Sequence, residues 1–138
     1  MKVTPNFHMN GNCKEAISLY EKALNATVLY LYSYSDANPA EFVAKADERD
    51  LVYHSEIMIG TQRVMMVDDT GAFPPKGNTL SLVITFDTAG EVKKAFEAMS
   101  EGCQIISPMQ STSYSSCFVS FVDRFGVRWE LMTEQPND

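Results

Sequence analysis

Along the first seventy residues the hydrophobic pattern changes period several times, and each change marks an element. The apolar and aromatic residues of TPNFHMNG, residues 4–11, predict a short strand. From Asn12 the period lengthens. In NCKEAISLYEKAL, Ala16, Leu19, Tyr20, Ala23 and Leu24 recur at helical spacing, and Asn12 with Glu15 reads as N-cap and capping partner. The β-rich ATVLYLYSYS follows, then a polar stretch from Asp36 to Asp50. Next, LVYHSEIMIG and QRVMMVDD predict two strands flanking a turn at Gly60 and Thr61.

After the breaker-rich DDTGAFPPKGN the order begins again. TLSLVITF predicts a strand, and Thr88 with Glu91 repeats the cap. Val92, Ala95, Phe96 and Met99 repeat the helical stripe, and CQIISPM, SSCFVSFVD and VRWELM predict three further strands. An offset of 76 residues carries Glu15 to Glu91, Ala16 to Val92, Leu19 to Ala95, Tyr20 to Phe96 and Ala23 to Met99. One βαβββ unit is therefore expected twice, at about residues 2–69 and 78–134, joined by a linker at about 70–77. Neither half is large enough to bury a sufficient core alone. The expectation is a single α+β domain over residues 1–138, with a curved mixed sheet around a cavity and the helices outside.

Near the end of the chain, DRFGVRWEL poses a question of direction. Successive strand side chains point to opposite faces, so Val127, Trp129 and Leu131 share one face while Arg128, Glu130 and Met132 share the other. The apolar trio belongs to a core. Glu130 is then either a solvated strand residue paired with Arg128 or a carboxylate aimed into a cavity.

Composition removes several alternatives. A chain of 138 residues that is 45% hydrophobic suits one globular unit. Its net charge of -7 and pI near 4.7 argue against nucleic acid as a partner, because phosphate contacts need clustered cations. Cys13, Cys103 and Cys117 are widely spaced and lack a CxxC, so neither a disulfide framework nor a zinc knuckle is expected, and a reducing cytoplasm fits. MKVTPNFHMNG lacks the apolar core of a signal peptide, and no run approaches a membrane span.

The tandem pattern, with NGNCKEAISLYEKAL near the start and DRFGVRWEL near the end, resembles the vicinal oxygen chelate superfamily of glyoxalases, bleomycin-resistance proteins and extradiol dioxygenases. NGNCKEAI, HSEIMIG, TLSLVI and DRFGVRWEL look most like its PhnB-like branch, whose members carry the name 3-demethylubiquinone 3-methyltransferase. Metal-dependent relatives take one ligand from the first strand and one from the last strand of each module, usually two His and two Glu. In this chain the resemblance puts Pro5, Met65 or Met66, and Leu80 or Ser81 at three of those positions. Only Glu130 matches. No metal and no cofactor are expected.

That resemblance also favours a cavity for Glu130, as hydrogen-bond acceptor or general base. His54 and Glu56 alternate with Ile57 and Ile59, so they are expected on the cavity side, with His54 a potential proton donor. Phe7 and Met9 share the face of Pro5 and are placed on the pocket wall with Met66, Arg128 and Glu130. His8 falls on the opposite face from Pro5. Tyr114 and Ser120 are candidate hydroxyls, and the three thiols are read as buried structural groups.

The function expected is binding of a small, partly apolar organic molecule by a homodimer, with exposed apolar tips such as Phe73 covered by the second chain. The alternative is a lyase, isomerase or dioxygenase built on His54, Glu56 and Glu130. Methyl transfer is not expected, because the sequence has no glycine-rich turn of a doubly wound nucleotide fold.

Overall fold

The structure is a computed structural model and describes residues 1–71, 77 and 80–136. The chain divides into two compact units, Met1–Pro74 and Pro75–Asp138. Unit one contains β1 (Asn6–Met9), α1 (Cys13–Leu24), β2 (Thr27–Ser33), β3 (Val52–Ile59) and β4 (Gln62–Asp68), with a 3-10 turn at Tyr34–Asp36. Unit two contains β5 (Leu82–Phe86), α2 (Ala89–Met99), β6 (Gln104–Gln110), β7 (Phe118–Val122) and β8 (Arg128–Thr133). The sheet orders are β1-β4-β3-β2 and β5-β8-β7-β6. Each sheet is mixed, its first strand parallel to its last and the other pairs antiparallel. The two βαβββ modules are thus present, each with the same strand order. The expected Phe73 tip lies outside the described residues.

Each helix covers one face of its own sheet. In unit one, Ala16, Ile17, Leu19 and Tyr20 of α1 are buried together with Met9, Ile57, Val64 and Met66 of the strands. In unit two, Val92, Ala95 and Met99 of α2 are buried with Val119, Phe121, Trp129 and Leu131, and the Phe96 and Phe121 rings meet edge to face at 5.0 Å. The trio read from DRFGVRWEL resolves accordingly. Trp129 and Leu131 are core, while Arg128, Glu130 and Met132 are half-buried on the helix-free face.

Buried carboxylates fasten the elements. The Oδ1 of Asp68 accepts from the N–H groups of Gly11 and Cys13 at 2.9 and 3.0 Å, and its Oδ2 accepts from Val52 at 2.9 Å. One side chain on β4 therefore holds the start of α1 and the start of β3. Asn12 does not cap α1 through its side chain, contrary to expectation, and the first helical N–H, that of Cys13, donates to Asp68. In unit two Thr88 caps α2 as expected, its hydroxyl accepting from Glu91 N at 3.2 Å. Asp123 shapes the turn before β8, accepting from Phe125 N, Val127 N and the indole Nε1 of Trp129 at 2.9 to 3.0 Å.

The connections of the two repeats differ in length, and the difference before the helix moves side chains. Three residues, Asn10 to Asn12, connect β1 to α1, whereas two, Asp87 and Thr88, connect β5 to α2. The extra residue reverses the alternation in β1 relative to the helix. The 76-residue offset that matches the helices consequently carries Phe7, which faces α1, onto Val83, which faces away from α2. Gly11, in the longer connection, has φ +89°, a region that favours glycine.

Two substitutions test this assignment of faces. Met66→Gln buries an amide against α1 and is expected to cost about 2 to 4 kcal/mol in urea unfolding, while Met65→Gln, on the helix-free face, costs under about 1 kcal/mol. Asp68→Asn replaces one acceptor oxygen by a donor that faces an N–H, and a loss of about 3 kcal/mol is expected. Equal costs at Met65 and Met66, or a neutral Asp68→Asn, contradict the packing described.

Candidate functional site

The helix-free face of unit one carries a row across all four strands. Asn6 pairs with Met65, Met65 with Glu56, and Glu56 with Tyr30. His54 lies opposite Tyr32, and Arg63 lies opposite Met58. The two-residue turn at Gly60 and Thr61 sets this register, which makes Arg63 a diagonal neighbour of Glu56 on the same face.

Arg63 and Glu56 form a two-point ion pair. The Nε of Arg63 donates to Glu56 Oε2 at 2.7 Å, and its Nη2 donates to Oε1. The Tyr30 hydroxyl lies 3.3 Å from His54 Nε2 and also hydrogen-bonds to Glu56, while His54 Nε2 is 3.7 Å from Glu56 Oε1. The Arg63 bond, followed by the Tyr30 bond, lowers the Glu56 pKa to about 2. The same contact with Glu56 raises the Tyr30 phenol. Glu56 is thus a held acceptor with only 5% of its side chain exposed, although it sits on the face away from the helix.

Unit two carries the matching row, Val83, Glu130, Ser120 and Ser107. Position by position, Glu130 stands where unit one has Met65, Ser120 where it has Glu56, and Arg128 where it has Arg63. The carboxylate has moved one strand along. Arg128 Nη2 is 3.9 Å from Glu130 Oε1, an ion-pair distance too long for a hydrogen bond. Ser120 is buried, and its Oγ has no hydrogen-bond partner among the described residues.

Several expected site residues lie elsewhere. Phe7, Met9 and Met66 are not on the helix-free face. Phe7 meets Tyr20 of α1 edge to face at 6.3 Å, and Met9 and Met66 are 1% and 0% exposed in that core. The residue of β1 beside Met65 is Asn6 rather than Pro5, and the residue of β5 beside Glu130 is Val83 rather than Leu80 or Ser81. The cause is the extra residue before α1, together with strand starts that fall after Pro5 and Ser81. His8 is on the helix-free side, with Nδ1 2.8 Å from Asp69 Oδ1. Tyr114 is exposed in the loop before β7.

The thiols are shielded to different degrees. Cys13 is buried, and burial followed by the Asp68 charge pushes its pKa up to about 12, while Cys103 is only half-buried. Among the described residues, no three His, Cys, Asp or Glu side chains gather at one point. Arg63, Tyr30 and Tyr32 were absent from the sequence-derived site. The signal for Arg63 was available, since a two-residue turn at Gly60 and Thr61 fixes its diagonal contact with Glu56.

Comparison with known proteins agrees with this architecture. Residues 1–132 match the family described as 3-demethylubiquinone-9 3-methyltransferase. Protein YjdN of Escherichia coli K12 is 25% identical over 146 residues, covering 99% of each chain. The crystal structure of protein PA1353 from Pseudomonas aeruginosa has a TM-score of 0.84 at 30% identity, with 99% of each chain covered. The PhnB protein from Bacillus cereus shares the fold, with a TM-score of 0.82 at 22% identity over 96% of this chain and 99% of that one. With two βαβββ modules of identical strand order and a family match over nearly its whole length, the chain belongs to the 3-demethylubiquinone-9 3-methyltransferase family.

Proposed function

We propose that the chain binds a small, partly apolar organic molecule on the helix-free faces of its sheets, without the metal of the metalloenzyme relatives. His54 and Glu56 are the polar groups that the face of unit one offers a ligand, and Arg128 and Glu130 those that the face of unit two offers. The observation that carries this reading is the replacement of Glu130 by Met65 at the matching place in unit one. The neighbouring strand positions are Asn6 and Val83, so Glu130 is the one carboxylate among these four residues. Glu56 offers no substitute, because both its oxygens accept from Arg63 and a metal would have to break that pair. Methyl transfer is unsupported: among the described residues each unit has one α-helix and four strands, not the doubly wound sheet that holds S-adenosylmethionine in most such enzymes.

The contact of His54 with Tyr30 favours a second reading, a metal-free lyase or isomerase. In it His54 carries the proton. A carboxylate with a pKa near 2 is too weak a base for that role, so Glu56 orients and His54 transfers.

The working form we propose is a cytoplasmic homodimer. Leu29 on edge strand β2, and Ile105 and Ile106 on edge strand β6, are about half exposed and suit coverage by a second chain. No helix among the described residues is long and apolar enough to cross a membrane.

Protein dialysed against Ni or Zn is expected to retain well under one equivalent per chain by elemental analysis. Stoichiometric metal that disappears with Glu130→Ala overturns the metal-free reading. Sedimentation equilibrium is expected to give twice the 15.4 kDa chain mass, and a persistent monomer rules the dimer out.

A pH series checks the Glu56–Arg63 pair. The folded pKa of Glu56 lies below its ordinary 4.5, so the pair's contribution is whole above that value and fades as pH falls toward about 2. The stability advantage of wild type over Glu56→Gln is expected to be constant above about pH 5.5 and to shrink through the acid range. An advantage that grows in acid contradicts the pairing.

A further inference from the structure

We infer that the helix-free face of unit one is a stacking platform for an uncharged, planar aromatic ligand, made by Tyr30, Tyr32 and His54 beside the closed Glu56–Arg63 pair. The inference rests on the binding reading above and narrows it to a ligand class. Tyr30 and Tyr32 lie on β2 opposite Glu56 and His54, so all four share one face. The Tyr30 ring centroid is 5.3 Å from that of Tyr32 and 5.6 Å from that of His54, tilted by 44° and 52°. These are distances of interacting rings. Yet Tyr30 is 36% and Tyr32 51% exposed, so the rings leave aromatic surface open to a further partner.

Local bonding makes the platform stiff. The Tyr30 hydroxyl is tied to His54 and Glu56, and Glu56 is tied to Arg63. A ring already held in place loses little side-chain freedom when a ligand settles on it.

Charge sets the ligand class. Glu56 and Arg63 neutralise one another through two hydrogen bonds. The pair carries no net charge, so it offers neither an anionic nor a cationic ligand a full countercharge, and a ligand that took the paired atoms of one partner would strip the other, with Glu56 only 5% exposed. An uncharged ring leaves the pair intact and gains the stacking.

Equilibrium dialysis of the full chain against 1-naphthol, 1-naphthoate and 1-naphthylmethylammonium at neutral pH tests this. Naphthol is expected to bind, and the two charged probes to bind roughly tenfold or more weakly. Tyr32→Ala is expected to weaken naphthol binding roughly tenfold, Tyr32→Trp to restore it, and Val43→Ala, at an exposed apolar residue between β2 and β3, to leave it unchanged. A charged probe that binds as tightly as naphthol overturns the inference, as does binding indifferent to Tyr32→Ala. If Tyr32→Ala instead lowers the sedimenting mass and naphthol does not bind wild type, the face is a contact between copies and the inference is also overturned. Native mass spectrometry separates the two levels. A carried-over ligand lost with Glu130→Ala but kept with Tyr32→Ala leaves the broader binding reading standing while this one falls, whereas no retained ligand and no probe binding sinks both.

Discussion

A β-strand offers its side chains two faces, and in each unit a single helix occupies one of them. Nearly every feature of this protein follows from which residues fall on the occupied side. In unit one that side takes Phe7, Met9, Ile57, Val64 and Met66, and the opposite side keeps His54, Glu56, Arg63 and Met65. Shifting β1 by one residue exchanges its two sets completely. The connection from Asn10 to Asn12 is therefore a determinant of the site, although none of its residues belongs to it.

Four carboxylates show how position decides chemistry. Asp68 and Asp123 sit within the folded units and accept backbone and indole N–H groups, so they join elements. Glu56 lies on the helix-free face but is closed by Arg63 and Tyr30. Glu130, at 3.9 Å from Arg128, keeps acceptor capacity. Among these, Glu130 is the one whose surroundings are least complete, and beside it lies the buried hydroxyl of Ser120. The two arginines, Arg63 and Arg128, hold matching places in the duplicated sheets. The two units thus keep the cation at matching places and carry the anion on different strands.

Much of this was legible in the chain. Hydrophobic periods located both helices and all eight strands, because amphipathic elements write their packing into their spacing. The alternation in VRWEL sorted Trp129 and Leu131 from Glu130 correctly, since a strand starting at a glycine turn has an unambiguous parity. His54 and Glu56 were placed on the right face by the same reasoning from Ile57.

What the sequence alone did not decide was the phase of β1 and the company of Glu56. Phe7, Met9 and Met66 look equally apolar on either face, and only packing against Tyr20 and the rest of α1 assigns them to the core. Parity there depends on a loop whose length differs between the repeats, and comparing the helices cannot register it. Asn12 reads as a cap, yet its side chain makes no capping bond, and the Cys13 N–H is met by Asp68, which lies 55 residues beyond Cys13 and reaches the helix only once β4 is in the sheet. Local pattern thus determined which elements form, whereas the faces of β1 and the partners of the buried carboxylates were decided by contacts that exist only after the chain has folded.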